Sequence, residues 1–196
     1  MIRLNLGCGQ NKLDGYVNVD KYPTFSPDVL WDLETFPWPF DTDSASEVVM
    51  HHSLEHMGAE VEVFLAIMKE LYRVCAPSAK VTITVPHPRS EAFAGDPTHV
   101  RPITPAVLAL FSKASNREAA ENGWPSTPLA TYIDVDFEIE KVGYSLTPHW
   151  QGKLQAGEAT SEDIGFAMST YFNVVNEIRF TLAVRKAGSS RSARGE

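Results

Sequence analysis

The chain has 196 residues, of which 43% are hydrophobic, and this is enough to build one sizeable core in a single domain. The formal net charge of -8 argues against binding along a nucleic-acid backbone, where Lys and Arg neutralise phosphates. Two cysteines form no disulfide framework and no metal-ligand spacing, so we expect a reducing, cytoplasmic compartment. No apolar run approaches the length of a membrane span, and we expect no membrane association.

Seven segments are predicted as strands, because they are rich in β-branched and aromatic residues and are bounded by Gly, Pro or Asp. In chain order they are 2–6, 16–20, 29–31, 47–50, 80–85, 133–141 and 177–185. Helices are predicted over about 60–74, from Thr104 onward and over about 161–172. Strands that alternate with helices predict a doubly wound, mostly parallel α/β sheet of seven strands. The alternating pattern of "NEIRFTLAVRK" predicts that the last strand is antiparallel.

One domain is expected over 1–186, and the long connection 146–176 is predicted to be an inserted, lid-like segment. Its predicted helix places Ile164, Met168, Tyr171 and Phe172 on roughly one face. We expect this face to cover the carboxyl edge of the sheet, and the alternative is that it packs permanently on the sheet or on a second subunit. Residues 187–196 are small, polar and locally basic, which predicts a disordered tail.

The stretch "LNLGCGQNKLDGYVNVD" runs from the first predicted strand to the end of the second. Leu6 ends the first strand, so Gly7, Cys8 and Gly9 follow at the carboxyl edge of the sheet, where open parallel sheets bind ligands. Asp20 ends the neighbouring strand at the same edge. A carboxylate there can accept hydrogen bonds from both hydroxyls of a ribose, so the motif predicts a nucleoside site.

A dinucleotide site would need a third glycine and a helix whose N-terminus binds the pyrophosphate. Here Lys12 stands where that glycine would be, and only 11 positions separate Gly9 from Asp20. This leaves no room for a helix followed by a strand. An NAD-dependent oxidoreductase is therefore disfavoured.

The segments "LNLGCG", "VNVD" and "DLETFPWPFDTDSASEVVMHHSLEHM" resemble the motifs of class I S-adenosylmethionine (SAM)-dependent methyltransferases. The resemblance is strongest to short stand-alone members with an "hvLEH" signature after the fourth strand. It implies a Rossmann-like fold, SAM as cofactor and S-adenosylhomocysteine as product, but its motifs are not specific for the substrate. We expect methyl transfer to an O or N atom of a small-molecule acceptor, since the acidic charge disfavours nucleic acid. It leaves open which acceptor is used and which oligomeric state the protein has.

The resemblance also implies roles for individual residues. The opening loop would lie under the methionyl part and the ribose of the cofactor, Asp20 would bind the ribose hydroxyls, and Lys21 would lie beside the adenine. Asp32 and Leu33 would contact the adenine, and the alternative for Asp32 is that it only caps a turn. With His51 and Ser53, which would line the cofactor pocket if Glu55 and His56 only hold their loop, we assign the following cofactor-binding residues: Leu6, Gly7, Cys8, Gly9, Asp20, Lys21, Asp32, Leu33, His51 and Ser53. The chain departs from the common pattern because a short loop replaces the usual helix after the first strand.

The segment "MHHSLEHM" follows the fourth strand and allows three interpretations. His52 can act as a general base for an acceptor hydroxyl, because its ordinary pKa suits that task. Alternatively, His52, Glu55 and His56 form a metal site, and the protein is a metal-dependent O-methyltransferase. In the third interpretation, Glu55 and His56 only hold the loop by hydrogen bonds. We assign His52 as catalytic and expect no metal.

The loop "PHPRSEAFAGDPTHVRPITP" follows the fifth strand and is expected to border the acceptor. We assign His99 as a second catalytic residue and predict that Arg101 also contacts the acceptor. The alternative is a polar turn over 96–101 that leads into the helix capped by Thr104. A non-catalytic SAM-binding module stays open as well, because no residue is an unmistakable catalyst.

Overall fold

The computed structural model describes residues 1–186, so the predicted disordered tail over 187–196 lies outside the described residues. Seven strands form one sheet. They are β1 (Ile2–Leu6), β2 (Val17–Asp20), β3 (Val29–Leu30), β4 (Ala45–His51), β5 (Cys75–Pro86), β6 (Phe137–Leu146) and β7 (Val175–Val184). Their spatial order is β3-β2-β1-β4-β5-β7-β6.

Strands β1 to β5 are parallel to one another, and β7 runs antiparallel to both β5 and β6. The predicted mostly parallel α/β sheet with an antiparallel last strand is therefore confirmed. The carboxyl ends of β1 to β5 meet at one edge, which we call the carboxyl edge. Pro86 of β5 pairs with Glu177 of β7, so β7 begins at this edge.

Seven helices connect the strands in the described part of the chain. They are α1 (Val61–Val74), α2 (Glu91–Ala94), α3 (Pro105–Ala109), α4 (Lys113–Glu121), α5 (Leu129–Tyr132), α6 (Pro148–Gln155) and α7 (Ser161–Thr170). The predicted cap of α3 is confirmed, because the Thr104 side chain accepts a hydrogen bond from the backbone N–H of Val107. None of the helices within 1–186 is both long and apolar enough to cross a membrane.

The core lies between the sheet and α1. Apolar residues recur in α1 at helical spacing, and its buried side chains include Phe64, Met68 and Leu71. They pack in one cluster with buried strand residues such as Val48 and Ile83. Each such side chain contributes about 1.5–3 kcal/mol through burial, so this cluster fixes the position of the strand ends that surround the carboxyl edge.

The connection from β1 to β2 contains no helix over residues 7–16, as the short loop in the sequence predicts. Buried polar groups hold it instead. The Asn5 side-chain amide donates to the side-chain oxygen of Asn18, and that oxygen also accepts from the backbone N–H of Leu13. These bonds give a backbone N–H of the tight loop a hydrogen-bond partner and hold the end of β1 beside the end of β2.

The sixth strand begins later than the sequence pattern predicts. Helix α5 ends at Tyr132, and Asp134 then adopts a left-handed conformation with φ of 53°. The Asp136 side chain accepts a hydrogen bond from the backbone N–H of Lys113. The residues before Phe137 therefore form a turn, and the alternating pattern could not distinguish this turn from the strand that follows it.

The long connection between β6 and β7 lies at the carboxyl edge, because β6 ends there and β7 begins there. The Arg89 guanidinium fastens this connection to the loop after β5. It donates to the carbonyl oxygens of Met168, Ser169 and Thr170 at 3.3, 2.8 and 2.9 Å, which are among the last carbonyls of α7.

The predicted apolar face of this connection is divided. Ile164 is buried, whereas Tyr171 and Phe172 are 51% and 49% exposed. The Tyr171 ring stacks on Trp150 of α6, with 6.2 Å between the ring centroids. An aromatic surface thus remains open at the carboxyl edge, and the lid-like role of the segment stays a prediction.

Candidate functional site

A cleft of about 470 Å³ opens at the carboxyl edge where β1, β2, β3 and β4 end. Seven residues that the sequence assigns to a site line it, namely Gly7, Asp20, Lys21, Asp32, Leu33, His52 and Ser53. Six further residues complete the lining: Tyr22, Phe25, Trp31, His56, Met57 and Thr98. The volume is in the range typical of small-molecule sites, about 300–1,000 Å³.

Asp20 is held in one orientation by the backbone around it. Its Oδ2 accepts a hydrogen bond from the N–H of Gly9 at 2.8 Å, and its Oδ1 accepts one from the N–H of Tyr22 at 2.9 Å. The residue is only 7% exposed and nevertheless lines the cleft. Each carboxylate oxygen keeps acceptor capacity, so the group can receive two hydroxyl donors from a ligand.

Gly7 occupies a position that no other residue fits without strain. Its φ of +69° lies in the left-handed region, and a Cβ added there would lie 2.5 Å from the Cβ of Ser53. The Ser53 hydroxyl donates to the carbonyl oxygen of Leu6 at 3.0 Å. The absence of a side chain at Gly7 therefore lets β1 and the loop after β4 approach closely at the floor of the cleft.

Asp32 caps a turn, which is one of the two alternatives that the sequence leaves open, and its contact with the adenine stays a prediction. Its Oδ1 accepts a hydrogen bond from the backbone N–H of Glu34 at 3.0 Å, and it also lines the cleft. Leu33 is 5% exposed, and its carbonyl oxygen accepts from the indole N–H of Trp38 at 2.9 Å. These bonds fix the short loop that follows β3 as a wall of the cleft.

Sequence reasoning missed the aromatic residues of this cleft. Tyr22 and Phe25 meet edge to face with 6.2 Å between ring centroids, and Trp31 follows β3. All three line the cleft. The signal that could have found them is the placement of aromatic residues at the end of one predicted strand and shortly after another, where the carboxyl edge is expected.

Five predicted site residues do not line the cleft: Leu6, Cys8, Gly9, His51 and His99. Leu6 and Cys8 are buried beneath it, and burial raises the pKa of the Cys8 thiol. Gly9 contacts the site through the bond from its N–H to Asp20. The His51 ring packs against the ring of His52, with 4.5 Å between centroids, and does not itself line the cleft.

His52 stands between two carboxylates at the edge of the cleft. Its Nε2 lies 2.9 Å from Oε1 of Glu177, and its Nδ1 lies 3.4 Å from Oε1 of Glu55. The carboxylate of Glu55 raises the pKa of His52 above its ordinary value. Glu177 acts in the same direction, and partial burial acts to lower this pKa but does not outweigh the two carboxylates. Its backbone is in the left-handed region with φ of 50°, a strained conformation that clusters at functional sites.

Glu55 holds the loop after β5 through its backbone rather than its side chain. Its carbonyl oxygen accepts from the N–H groups of Val100 and Arg101 at 2.9 and 3.2 Å. The His56 Nδ1 lies 2.9 Å from the hydroxyl oxygen of Thr98. Glu55 and His56 therefore do hold the loop by hydrogen bonds, as one interpretation of the sequence predicts. Glu55 does so with its backbone carbonyl oxygen and not with its carboxylate.

The structure separates His99 and Arg101 from the cleft. His99 lies behind His56, with 4.5 Å between their ring centroids, and its ring stacks on Phe93 at 5.2 Å. The Arg101 guanidinium lies over the Phe64 ring at 4.4 Å and donates to the carbonyl oxygen of Gly58. Arg101 thus joins the loop to α1 and does not line the cleft.

No family model matches the chain, and no curated protein matches it in sequence. Solved structures match its shape. A SAM-dependent methyltransferase from Archaeoglobus fulgidus is 16% identical, with 92% of this chain and 85% of that chain covered and a TM-score of 0.60. One from Methanosarcina mazei is 14% identical, with 93% and 92% covered and a TM-score of 0.53. One from Mesorhizobium loti is 15% identical, with 93% and 90% covered and a TM-score of 0.50.

These likenesses show the fold. The chain has the Rossmann-like fold of SAM-dependent methyltransferases, as the resemblance of its motifs predicts. The cleft lies at the carboxyl edge of the sheet, which is the general place for ligands in open α/β sheets. Fold alone does not define a reaction, so the activity has to be argued from the residues of the cleft.

Proposed function

We propose that this protein is a SAM-dependent methyltransferase that acts on an O or N atom of a small-molecule acceptor. One observation carries the proposal. An oriented carboxylate, Asp20, ends β2 in the same cleft as the Gly7 turn after β1 and the Asp32–Leu33 loop after β3. This is the arrangement that a nucleoside ligand needs in a sheet of this topology.

The residues of the cleft fit the nucleoside half of SAM. The free acceptor sites of Asp20 suit the two hydroxyls of a ribose. Leu33 offers an apolar surface for a purine ring, and the Asp32 carboxylate can accept from its exocyclic amine. When bound, the cofactor supplies a methyl group on a positively charged sulfur, and this group is intrinsically reactive.

With so reactive a methyl donor, the protein mainly has to align the acceptor and take up its proton. His52 is our candidate for the second task, since it lines the cleft and is oriented by its contact with Glu177. The Glu177 carboxylate stabilises the imidazolium that forms when His52 takes a proton. The catalytic role that the sequence assigns to His99 is dropped, because His99 does not line the cleft and only packs against the ring of His56.

The test is the formation of S-adenosylhomocysteine from SAM with a panel of phenols, catechols and amines as acceptors. At least one acceptor should give turnover above the rate without protein, and Asp20→Ala should reduce it. His52→Asn should lower the turnover number while SAM binding is retained. Saturable SAM binding with no turnover on any acceptor would instead support the non-catalytic SAM-binding module.

A further inference from the structure

Three side chains of residue types that bind metal ions converge at the wall of the cleft. Glu55 and His56 belong to the turn after β4, and His99 comes from the loop after β5. One ligand atom from each of the three lies within 4.8 Å of the other two. Sequence reasoning grouped Glu55 and His56 with His52, but His52 directs its Nε2 toward Glu177, and His99 takes its place in the cluster.

The Glu55 carboxylate is the unusual member of this cluster. Its side chain is fully buried, and neither oxygen accepts a hydrogen bond from any group within residues 1–186. The nearest ion-pair partner is Nδ1 of His52, at 3.4 Å from Oε1. A buried carboxylate is stable only when it is paired or bound to a cation, and the contact with one oxygen leaves Oε2 available as a ligand atom.

Hydrogen bonds fix the two imidazoles in the tautomer that binds metal ions. The Thr98 hydroxyl donates to Oδ1 of Asp96 at 2.6 Å, so its oxygen must accept from Nδ1 of His56. Nδ1 of His99 lies 2.9 Å from the carbonyl oxygen of Phe93, which can only accept. In neutral imidazoles with the proton on Nδ1, the lone pair is on Nε2, the arrangement typical of metal-ligating histidines.

From these observations we propose that Glu55, His56 and His99 bind one divalent transition-metal ion such as Zn²⁺. Two imidazole nitrogens with one carboxylate are a donor set that favours Zn²⁺ and its neighbours over Mg²⁺, which prefers oxygen ligands. The ion joins the turn after β4 to the loop after β5. Since His56 also lines the cleft, the bound ion would supply a Lewis acid beside the acceptor; this part of the proposal rests on the proposed function.

The test is calorimetric titration of the metal-free, untagged protein with Zn²⁺ and, separately, with Mg²⁺. One Zn²⁺ per chain should bind, with Mg²⁺ weaker by about 100-fold or more. His99→Ala should abolish Zn²⁺ binding at this site. Thr98→Val, which removes the hydroxyl that accepts from His56 and donates to Asp96, should weaken it about 10- to 100-fold. His149→Ala, which changes a histidine of α6 outside the cluster, is the matched control and should bind as the wild type does.

Three results would overturn the proposal. They are a Zn²⁺ affinity of His99→Ala equal to that of wild type, a loss of Zn²⁺ affinity in His149→Ala as large as that in His99→Ala, and Mg²⁺ binding as tight as Zn²⁺ binding. If His99→Ala does not fold, Thr98→Val decides the question. Co²⁺ provides a second measurement, since nitrogen ligation should give visible absorption bands that Thr98→Val weakens. Titration of the same samples with S-adenosylhomocysteine keeps the two proposals apart, because each ligand can bind while the other fails.

Discussion

The backbone N–H of Gly9 donates a hydrogen bond to Oδ2 of Asp20, with 2.8 Å between the two atoms. This bond joins the loop after β1 to the end of β2, the neighbouring parallel strand. With the second bond from Tyr22 to Oδ1, it holds the carboxylate in place before any ligand arrives. Such preorganisation reduces the ordering cost of binding, so Asp20 is expected to contribute strongly to cofactor affinity.

Asp20→Ala should weaken SAM binding by about 1.5–3 kcal/mol, or about 10- to 150-fold, the range for hydrogen bonds to a charged group. Calorimetric titration of the folded variant measures this. Asp14→Ala, which removes an exposed acid from the same connection between β1 and β2, is the control and should bind SAM normally. An unchanged affinity for SAM in a folded Asp20→Ala protein would contradict the assignment of Asp20 as the residue that binds the ribose hydroxyls.

Gly7→Ala should destabilise the fold by about 1–3 kcal/mol, because the new methyl group meets Ser53 at 2.5 Å in a left-handed backbone conformation. Gly9→Ala is the matched control. It also has a positive φ, but its added Cβ has no neighbour within 4 Å, so it should cost less. Urea unfolding curves measure the free energy of unfolding of both variants. Equal losses of this free energy in the two variants would contradict the close approach of Gly7 and Ser53.

Glu70 makes stability depend on pH. Burial acts to raise the pKa of Glu70, but the hydrogen bonds from Arg73 and from the N–H of Trp38 outweigh it, and the net pKa is lowered. A lowered pKa in the folded state stabilises the protein above the unfolded-state pKa. This contribution is lost as the pH falls through the folded-state pKa.

Accordingly, Glu70→Gln should lower the free energy of unfolding by about 1–3 kcal/mol at neutral pH. The difference from wild type should shrink as the pH falls below about 4.3, the value at which an unfolded-state Glu is half protonated. Urea unfolding at several pH values tests this, with the exposed Glu62→Gln of the same helix as control. A difference that is constant from pH 7 to pH 3 would show that the charge of Glu70 plays no part.

Arg89→Ala should loosen α7, since it removes the donor that three of its last carbonyls share. Faster hydrogen exchange over 161–170 is the expected result, whereas Arg117→Ala, which changes an exposed arginine of α4, should leave this exchange unchanged.

If segment 158–175 is a lid, it should gain protection from hydrogen exchange when S-adenosylhomocysteine and an acceptor that supports turnover are bound. Strong protection in the free protein, unchanged by these ligands, would mean that the segment belongs to the core or to an interface.

The sheet could be predicted because its signals are local. Apolar strands bounded by turn residues, and a helix with regular apolar spacing in α1, identify elements without knowledge of distant contacts. The Gly7 turn and Asp20 were placed correctly at the carboxyl edge for the same reason. Each lies at the end of a strand, and all parallel strands end at one edge.

The wall of the cleft could not be predicted, because it depends on contacts between distant segments. His99 and Arg101 look alike in sequence as polar loop residues, but one packs on Phe93 and the other on Phe64. The pairing of His52 with Glu177 spans 125 positions along the chain. No periodicity or spacing encodes such a contact, so the partners of the histidines emerge only in three dimensions.

Titration calorimetry of the wild-type protein with S-adenosylhomocysteine, with NAD⁺ as comparison, tests the central claim most directly. The cleft, with its oriented Asp20 and without a pyrophosphate-binding helix over residues 7–16, predicts saturable binding of one S-adenosylhomocysteine per chain and no binding of NAD⁺. A folded protein that binds NAD⁺ more tightly, or that shows no saturable binding of S-adenosylhomocysteine, would contradict the assignment of this cleft as a SAM site.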